Sequence, residues 1–378
     1  MRVKVIWPLK FVHAMAEGSG AGVLSAMKDQ WTSMTGMAFM FVSTILIGLS
    51  IQPIYNIPEA RAFGEEGASK GAFVALELAM IGVFTIVIIW LARRGLEFLI
   101  KAIVLFALWM SLFYALQPYV ALILYFMGLD TLTTVLVFSL FLSIGSIYLL
   151  HRYPEWYVVN GVGILVGAGV ITLIGVSFVP VLIIGFMIAA AIYDYWAVNG
   201  SKHMLELADT MIGLKLPVLL VAPKSANYSF LDEKDSVMSD NRDIDIVMKK
   251  EDMDWENPVP MTNEGGNGKK GRDALFMGLG DVIFPGMLVI SSVSFLPQTG
   301  GEVTYFSAFG VMYADSLIVA MGTLLGGLLG YFGLMTQVAM GRPQAGLPML
   351  NGGSILGYLI SGYFALGLDN LWQDISFF

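Results

Sequence analysis

The chain alternates between long apolar stretches and shorter polar connections. Nine stretches consist mainly of Leu, Ile, Val, Phe, Ala, Met and Gly, and a helix of about 20 such residues crosses the ~30 Å hydrocarbon core of a bilayer. In hydrocarbon each backbone N–H and C=O needs a partner within its own segment, which favours helices. The predicted spans are 32–54, 71–92, 97–127, 131–150, 156–177, 179–199, 273–296, 305–332 and 347–367. The pattern therefore predicts an all-α polytopic membrane protein with nine transmembrane helices.

One long polar segment, 200–271, interrupts this pattern. It separates six predicted transmembrane helices in residues 1–199 from three in residues 272–378. Its middle is charged, contains Gly and Asn, and is almost free of aromatic residues, as in flexible linkers. Its beginning differs, because residues 215–223 are apolar and are bounded by two prolines, which favours a short strand at the membrane surface. A surface segment without a strand partner is the alternative.

The positive residues give this pattern an orientation. All of the 21 Lys and Arg residues except Arg61 and Lys70 fall in one alternating set of loops and termini. Loops on the cytoplasmic side carry an excess of Lys and Arg. The chain is therefore predicted to have a cytoplasmic N-terminus and, with nine spans, an external C-terminus. The polar segment 200–271 is then cytoplasmic.

Composition excludes several classes of protein. Hydrophobic residues make up 57% of the chain and charged residues 13%, against about 25% charged residues in an ordinary soluble protein. The chain has no Cys, which excludes disulfides and thiol catalysis, and its net charge of −8 argues against nucleic acid as a partner. The three histidines form no His-Glu-x-x-His motif, and there is no Walker motif. We expect neither a metal site nor a cofactor.

Two aspartates lie inside apolar stretches. Asp194 is near the end of the sixth predicted span, and Asp281 is near the start of the seventh. A carboxylate in hydrocarbon costs roughly 2.5–3.5 kcal/mol on insertion scales, so such residues usually have a function. At 1.5 Å per residue, the predicted spans place them about 8 and 13 Å below the inner surface. Two antiparallel helices thus carry carboxylates at similar depth on the same side.

A pair of this kind has a chemical use. Two adjacent carboxylates do not both ionise easily and can share a proton. One then acts as general base on water and the other as general acid toward a carbonyl. Taken alone, the residues fit intramembrane catalysis and a proton- or ion-coupled transporter about equally, and a non-enzymatic scaffold is a third interpretation. Glu77 and Asp315, in the outer half of other spans, are interpreted as structural or water-facing.

Small residues surround the two aspartates. Gly278 and Gly280 allow a backbone to come close to Asp281, although glycines in membranes also serve helix packing. Tyr193 is adjacent to Asp194 and is a candidate hydrogen-bond donor to a carboxylate or a substrate. The packing role is expected in the eighth span for Gly326, Gly327 and Gly330.

A third stretch lies on the same side of the membrane, at the start of the ninth span. Its residues are Gln344, Ala345, Gly346, Leu347 and Pro348. Small residues followed by Leu-Pro favour an extended or bent segment that comes close to its neighbours. Three distant stretches are thereby predicted to converge at one membrane depth.

These motifs resemble those of the presenilin and signal peptide peptidase family. Tyr193-Asp194 resembles the family's Tyr-Asp motif, and Gly278-Leu279-Gly280-Asp281 resembles its Gly-x-Gly-Asp motif, one span later. Ala345-Gly346-Leu347 aligns with its Pro-Ala-Leu signature, followed by proline as in presenilins and preceded by glutamine as in signal peptide peptidases. Nine spans with a long loop between the sixth and seventh are also similar to the family. The compact, cysteine-free chain most resembles archaeal members.

The resemblance implies a fold, an activity and a set of partners. It implies the presenilin-like Gly-x-Gly-Asp protease fold and an intramembrane aspartic endopeptidase that hydrolyses peptide bonds within transmembrane helices, with Asp194 and Asp281 as catalytic residues. The implied partners are the transmembrane helices of substrate proteins and the lipid bilayer, and the implied location is an archaeal cell membrane. The residues expected to contact substrate are Tyr193, Gly278, Leu279, Gly280, Leu219, Leu220, Gly346, Leu347 and Pro348.

Two further expectations concern water and substrate. Water must reach the aspartates, so we expect a cavity open to the inner side. Proteases resembling presenilin form a hybrid sheet with substrate, and residues 215–223 are the candidate strand, with the backbone just before Asp281 as a possible second. Because proline deletes an N–H from a ladder, proline at Leu219 or Leu220 is expected to reduce cleavage more than alanine.

Overall fold

The described part of the chain consists mainly of apolar helices. The computed structural model describes residues 19–62, 64, 68–129, 131–197, 219–224, 228–229, 274–304, 309–339 and 345–376. These residues form nine α-helices: α1 (Ser19–Tyr55), α2 (Gly71–Arg93), α3 (Glu97–Phe126), α4 (Leu132–Arg152), α5 (Trp156–Gly175), α6 (Pro180–Trp196), α7 (Leu279–Phe295), α8 (Ala314–Ala339) and α9 (Leu347–Ala365).

The helices have the lengths that membrane spans need. Six of them, α1 to α5 and α8, are long and apolar enough to cross a membrane. The helices α6 and α7 are apolar but have 17 residues each, which is about the shortest length that crosses hydrocarbon. The helix α9 has 19 residues. The prediction of nine membrane helices is confirmed in its helix number and order within the described ranges.

Two predicted spans begin too early. The seventh was expected from residue 273, but residues Ala274–Gly278 form the strand β2, and α7 begins only at Leu279. The eighth was expected from residue 305, but α8 begins at Ala314, after the short strands β3 (Glu302–Val303) and β4 (Met312–Tyr313). Both errors occur where a short apolar run continues into a helix. Periodicity alone does not distinguish a strand from a helix in such a run.

A two-stranded antiparallel sheet joins the two ends of the long polar segment. The strand β1 (Leu219–Pro223) lies within the stretch where the sequence favours a strand, and it pairs with β2. The register places Leu219 opposite Gly278 and Leu220 opposite Met277. Residues 215–218 and the linker-like middle of the segment, 232–272, lie outside the described residues.

The helices α1, α5, α7, α8 and α9 make up the packed centre, and glycines bring several of them close together. The helices α8 and α9 are in the closest contact, because a Cβ atom at Gly326, Gly330, Gly353 or Gly357 would collide with the backbone of the opposite helix. Likewise a Cβ at Gly327 would lie 2.5 Å from Ser354 Oγ. The expected packing role of Gly326, Gly327 and Gly330 is confirmed.

Candidate active site

Asp194 lies on the buried face of α6, near the end of that helix. The residues Ile183, Met187, Ala190 and Asp194 are all buried, and their spacing of four, three and four residues places them on one helical face. Only 7% of Asp194 is exposed. The helix therefore turns a carboxylate toward the protein interior and away from lipid.

Asp281 lies in the first turn of α7, directly after β2. Gly278 is the N-cap of this helix, so Asp281 is the third helical residue. Its side chain bends back toward the cap, where the Gly278 backbone acts as a hydrogen-bond partner and a Cβ would lie 3.4 Å from Asp281 Oδ2. An acid at this position can bind the N-cap N–H and is stabilised by the helix dipole.

The start of α9 connects the two carboxylates. The backbone N–H of Leu347 donates a 3.1 Å hydrogen bond to Asp194 Oδ2. A Cβ at the preceding residue, Gly346, would lie 3.3 Å from both carboxylate oxygens of Asp281. Because both carboxylates lie against the same peptide unit, the two aspartates are close neighbours. Three stretches distant in sequence therefore meet around one peptide unit.

Helix termini explain how two acids are accommodated in an apolar protein. The first N–H groups of a helix have no partner within it, and Leu347 is the first residue of α9. Asp194 accepts from this N–H, and Pro348 at the next position has none to satisfy. Asp281 occupies the corresponding region of α7. Each carboxylate thus meets the positive end of a different helix.

Gly280 borders open space, unlike the packing glycines of α8. Nothing but the ring of Phe284, at 4.0 Å, would lie within reach of a Cβ at Gly280, and the residue is exposed. The packing explanation for Gly278 and Gly280 is therefore not supported by their surroundings, since a Cβ at Gly278 would meet only the Asp281 carboxylate.

An apolar cavity begins at Gly280. It has a volume of ≈ 200 Å³ and lies between α2, α6 and α7. Its walls suit hydrocarbon side chains rather than water, so it differs from the inner, water-accessible cavity expected from the sequence. Most residues of the loops that are expected on the inner side, 198–218, 230–273 and 340–344, are outside the described ranges. The lining residues are Val74, Ile81, Ile174, Phe178, Leu182, Ile183, Phe186, Gly280, Ile283, Phe284 and Met287.

The remaining expected substrate contacts divide into buried and accessible side chains. Leu220 is fully buried and Leu279 is 7% exposed, and Leu279 packs against α5, 3.1 Å from the position of a Cβ at Gly167. The side chains of these two residues are therefore not accessible to a substrate. Tyr193 is 45% exposed, with its ring 6.3 Å from that of Trp196. Leu219, Leu347 and Pro348 are half-buried.

Two buried amides near the site were not singled out from the sequence. Asn160 of α5 is 6% exposed and Asn351 of α9 is 1% exposed. Asn160 binds the backbone of β1 at Val221, and Asn351 Nδ2 donates a 2.9 Å hydrogen bond to the carbonyl of Met187 on α6. The available signal was a single amide in an otherwise apolar span, but the sequence does not say which backbone such an amide meets.

The described residues do not bring three or more His, Asp or Glu side chains together as possible metal ligands. What the site offers is two carboxylates, two helix N-termini and a strand edge that leads directly to Asp281. This arrangement can activate water by acid–base chemistry.

Comparison with known proteins identifies the family. The family described as signal-peptide peptidase, presenilin aspartyl protease matches residues 37–367. Two solved structures of a presenilin family intramembrane aspartate protease, in space groups C222 and P2, are similar to this chain with TM-scores of 0.54 and 0.53. Both share 26% sequence identity and cover 89% of this chain and 100% of their own. Comparison with curated proteins gave no match. The chain therefore belongs to the signal peptide peptidase and presenilin family and is a multi-pass intramembrane aspartic protease.

Proposed function

We propose that Asp194 and Asp281 are the catalytic pair of this protease. The observation that carries the proposal is their shared contact with the Gly346–Leu347 peptide, which joins one carboxylate by a 3.1 Å hydrogen bond and lies against the other. This contact supports a common site for side chains that are 87 positions apart in the sequence.

The proposed reaction is direct attack by water. One carboxylate removes a proton from water as the oxygen attacks the peptide carbonyl, and the other, protonated, gives its proton to the carbonyl oxygen. The resulting diol collapses when the C–N bond breaks and a proton passes to the leaving amine. The products are one new carboxyl terminus and one new amino terminus. Because two coupled carboxylates titrate as a unit, we assign the pair, and not either residue alone, to the first step.

The proposed substrate is a transmembrane helix of another protein. Its apolar side chains suit the cavity that reaches Gly280. Its carbonyl groups are held in internal hydrogen bonds, so attack requires local unwinding, which is costly in lipid unless another backbone pairs with the freed groups. The β1–β2 sheet supports such pairing, since β2 continues directly into the helix that carries Asp281 and added strands are a common mode of peptide recognition.

The proposed substrate contacts follow from this geometry. Gly280 would face side chains in the apolar cavity, and Gly278, Leu219 and Leu220 would act through the sheet backbone. Gly346, Leu347 and Pro348 would border the scissile peptide beside the carboxylates. Leu279 would contribute backbone only, and Tyr193 would act from the exposed face of α6.

The proposed orientation has a cytoplasmic N-terminus and an external C-terminus, in an archaeal cell membrane. It is supported by the distribution of Lys and Arg and by the resemblance to archaeal members. In this orientation, favoured substrates have their N-terminal end outside. Tags at the two termini, digested by protease in sealed oriented vesicles, test it. An externally accessible N-terminal tag would reverse the orientation.

Cleavage by the purified protein tests the function. The protein is reconstituted in liposomes with a labelled transmembrane test peptide, and products are identified by mass spectrometry. We expect two complementary fragments with the break inside the apolar segment. A peptide in which that segment is shortened below about 10 residues, too short to span, is the control and should remain intact. No cleavage of any transmembrane peptide would contradict the proposal.

A further inference from the structure

A second hydrogen bond joins α6 to α9, one helical turn beyond Leu347. Asn351 Nδ2 donates a 2.9 Å hydrogen bond to the carbonyl oxygen of Met187. Asn351 is four residues after Leu347, whose N–H donates to Asp194, and Met187 is seven residues before Asp194. Residues four or seven positions apart lie on one helical face. Both bonds therefore connect the same face of α6 to the same face of α9.

Two bonds along one interface restrict the helices more than a single bond does. With the Leu347 bond alone, α9 retains rotation about that contact, and its first turn moves relative to Asp194. At 1.5 Å per residue, the two bonds are separated by about 6 Å along α9 and by about 10 Å along α6. The bond of Asn351 therefore opposes this rotation and holds the Gly346–Leu347 peptide in its place against the two carboxylates.

Apolar side chains fill the space between the helices beyond Asn351. Ile183 and Met187 of α6 belong to one hydrophobic cluster with Ile355 and Tyr358 of α9. Hydrophobic contacts are not directional, so they bring the two helices together without fixing their rotation. In coiled coils, a single buried Asn sets the register of helices that otherwise meet through apolar side chains. Asn351 supplies a directional contact of this kind between α6 and α9.

Stability of the fold alone does not explain an amide at this position. Asn351 is 1% exposed, and its Oδ1 atom has no hydrogen-bond partner among the described residues. A buried polar atom without a partner is unfavourable, and the carbonyl of Met187, inside α6, accepts a bond from its own helix in any case. Leucine has as many side-chain heavy atoms as asparagine and would bury no polar group here. The distinctive consequence of the amide is therefore the position of α9.

We propose that Asn351 is a positioning residue for proteolysis, which fixes the rotation of α9 against α6 and thereby places the Gly346–Leu347 peptide between Asp194 and Asp281. The inference rests on the proposed function, because it assumes that these two aspartates are the catalytic pair. Asn351 acts through the backbone of α9 and is not itself a catalytic residue. Proton transfer to and from the reacting atoms depends steeply on geometry, so a small rotation of α9 slows the chemical step more than it weakens substrate binding.

The substitution Asn351→Leu tests the inference by removing the donor at nearly unchanged shape. Cleavage of the transmembrane peptide and the unfolding midpoint are measured on the same protein. We expect a midpoint equal to or above that of the unsubstituted protein, because an unpaired buried polar atom is removed. We expect kcat per folded molecule to fall by about tenfold or more, about 1.4 kcal/mol, with KM changed by less than about twofold.

The substitution Asn351→Gln tests whether the amide donor restores the reaction. It keeps the donor on a longer side chain that packs less well, since extra volume in a packed interior destabilises. Of the two variants, Asn351→Gln should therefore have the lower unfolding midpoint and the higher kcat per folded molecule. Activity and stability then change in opposite directions, which a positioning role predicts and a packing role does not.

Tyr358→Phe is the matched control, because Tyr358 is another buried residue of α9 whose side chain bonds a backbone carbonyl. It is 1% exposed, and its hydroxyl donates a 3.1 Å hydrogen bond to the carbonyl oxygen of Leu371, away from α6. Its kcat per folded molecule should be unchanged. An unchanged kcat per folded molecule in Asn351→Leu would overturn the inference, and so would a lower kcat in Asn351→Gln than in Asn351→Leu. Failure of the proposed function would appear instead as cleavage by Asp194→Asn or Asp281→Asn, so the two failures are distinguishable.

Discussion

The N–H of Leu347 donates a 3.1 Å hydrogen bond to Oδ2 of Asp194, and this bond joins the end of α6 to the start of α9. Because the first N–H groups of a helix have no internal acceptor, the bond satisfies a donor of α9 and stabilises a carboxylate within an apolar protein. The neighbouring Gly346 brings the same turn against Asp281. The position of the α9 start relative to both acids is thus part of the geometry of the proposed active site.

The first prediction concerns the space at Gly346. A Cβ there would lie 3.3 Å from both oxygens of Asp281, closer than usual but against a side chain that can rotate. We expect Gly346→Ala, which restores the residue of the family signature, to lower kcat by roughly tenfold or less, and Gly346→Val to lower it further, each tenfold being about 1.4 kcal/mol. Steady-state cleavage of the transmembrane peptide measures this. Full activity of Gly346→Val would contradict the close approach.

The second prediction compares adjacent glycines of α9. A Cβ at Gly353 would collide with the Gly326 carbonyl and lie 3.1 Å from Gly330 atoms, whereas a Cβ at Gly352 would meet nothing within 4 Å. We expect Gly353→Ala to destabilise by about 1–3 kcal/mol, as overpacking does. Gly352→Ala should be neutral or stabilising by up to about 1 kcal/mol through helix propensity. Unfolding midpoints in the same detergent provide the measurement, and equal midpoints would refute the packing contact.

The third prediction distinguishes the two faces of β1. Leu220 faces Met277 in the ladder, so Leu220→Pro deletes an inter-strand hydrogen bond and should reduce cleavage more than tenfold, a loss above about 1.4 kcal/mol. The N–H of Val221 is bonded to Asn160 and therefore points away from β2. Because backbone directions alternate along a strand, the N–H of Leu219 points the same way, so Leu219→Pro should be milder. Hydrolysis rates of the two variants at matched folded fraction make the comparison. Equal losses would mean that the β1–β2 ladder is not what supports cleavage.

Methionine, and not the alanine suggested by the sequence, is the control for proline at Leu220. Leu220 is fully buried, and replacing a buried Leu by Ala costs about 2–5 kcal/mol because a cavity remains. Leu220→Ala would therefore lower the stability of the protein substantially. Leu220→Met keeps the volume and the N–H, and such swaps usually cost less than about 1.5 kcal/mol. It should cleave nearly as well as the unsubstituted protein.

The sequence predicted the helices well because the membrane imposes a strong constraint on them. Apolar length and the need for internal hydrogen bonds determine that these segments are helices, and those constraints act locally. The predicted start of α7 was wrong for a different reason. Residues Ala274–Gly278 are as apolar as the helix that follows, and they become a strand only because β1, more than 50 positions earlier in the sequence, supplies a partner.

The sequence predicted the two acidic residues of the candidate site but not the buried amides that bond to the segments around them. Two acids in apolar spans are costly enough to stand out, and their expected depth in the membrane follows from the predicted topology. Asn160 and Asn351 carry no charge, and each acts on the backbone of a distant segment. Such contacts depend on how the helices pack in three dimensions, which a single sequence does not specify. The apolar character of the cavity at Gly280 was likewise missed, because it arises from side chains of several helices.

Removing each carboxylate in turn tests whether Asp194 and Asp281 are the catalytic pair. Asp194→Asn and Asp281→Asn preserve size, and Asp315→Asn is the matched control, since Asp315 is also an acid in the first turn of a membrane helix, α8. Cleavage of the transmembrane peptide is measured for all three in liposomes, with folding checked by the unfolding midpoint. We expect both site variants to remain folded and to lose cleavage by at least about a thousandfold, roughly 4 kcal/mol, while Asp315→Asn stays active. Cleavage at the native rate by folded Asp194→Asn or Asp281→Asn would contradict the assignment of the pair.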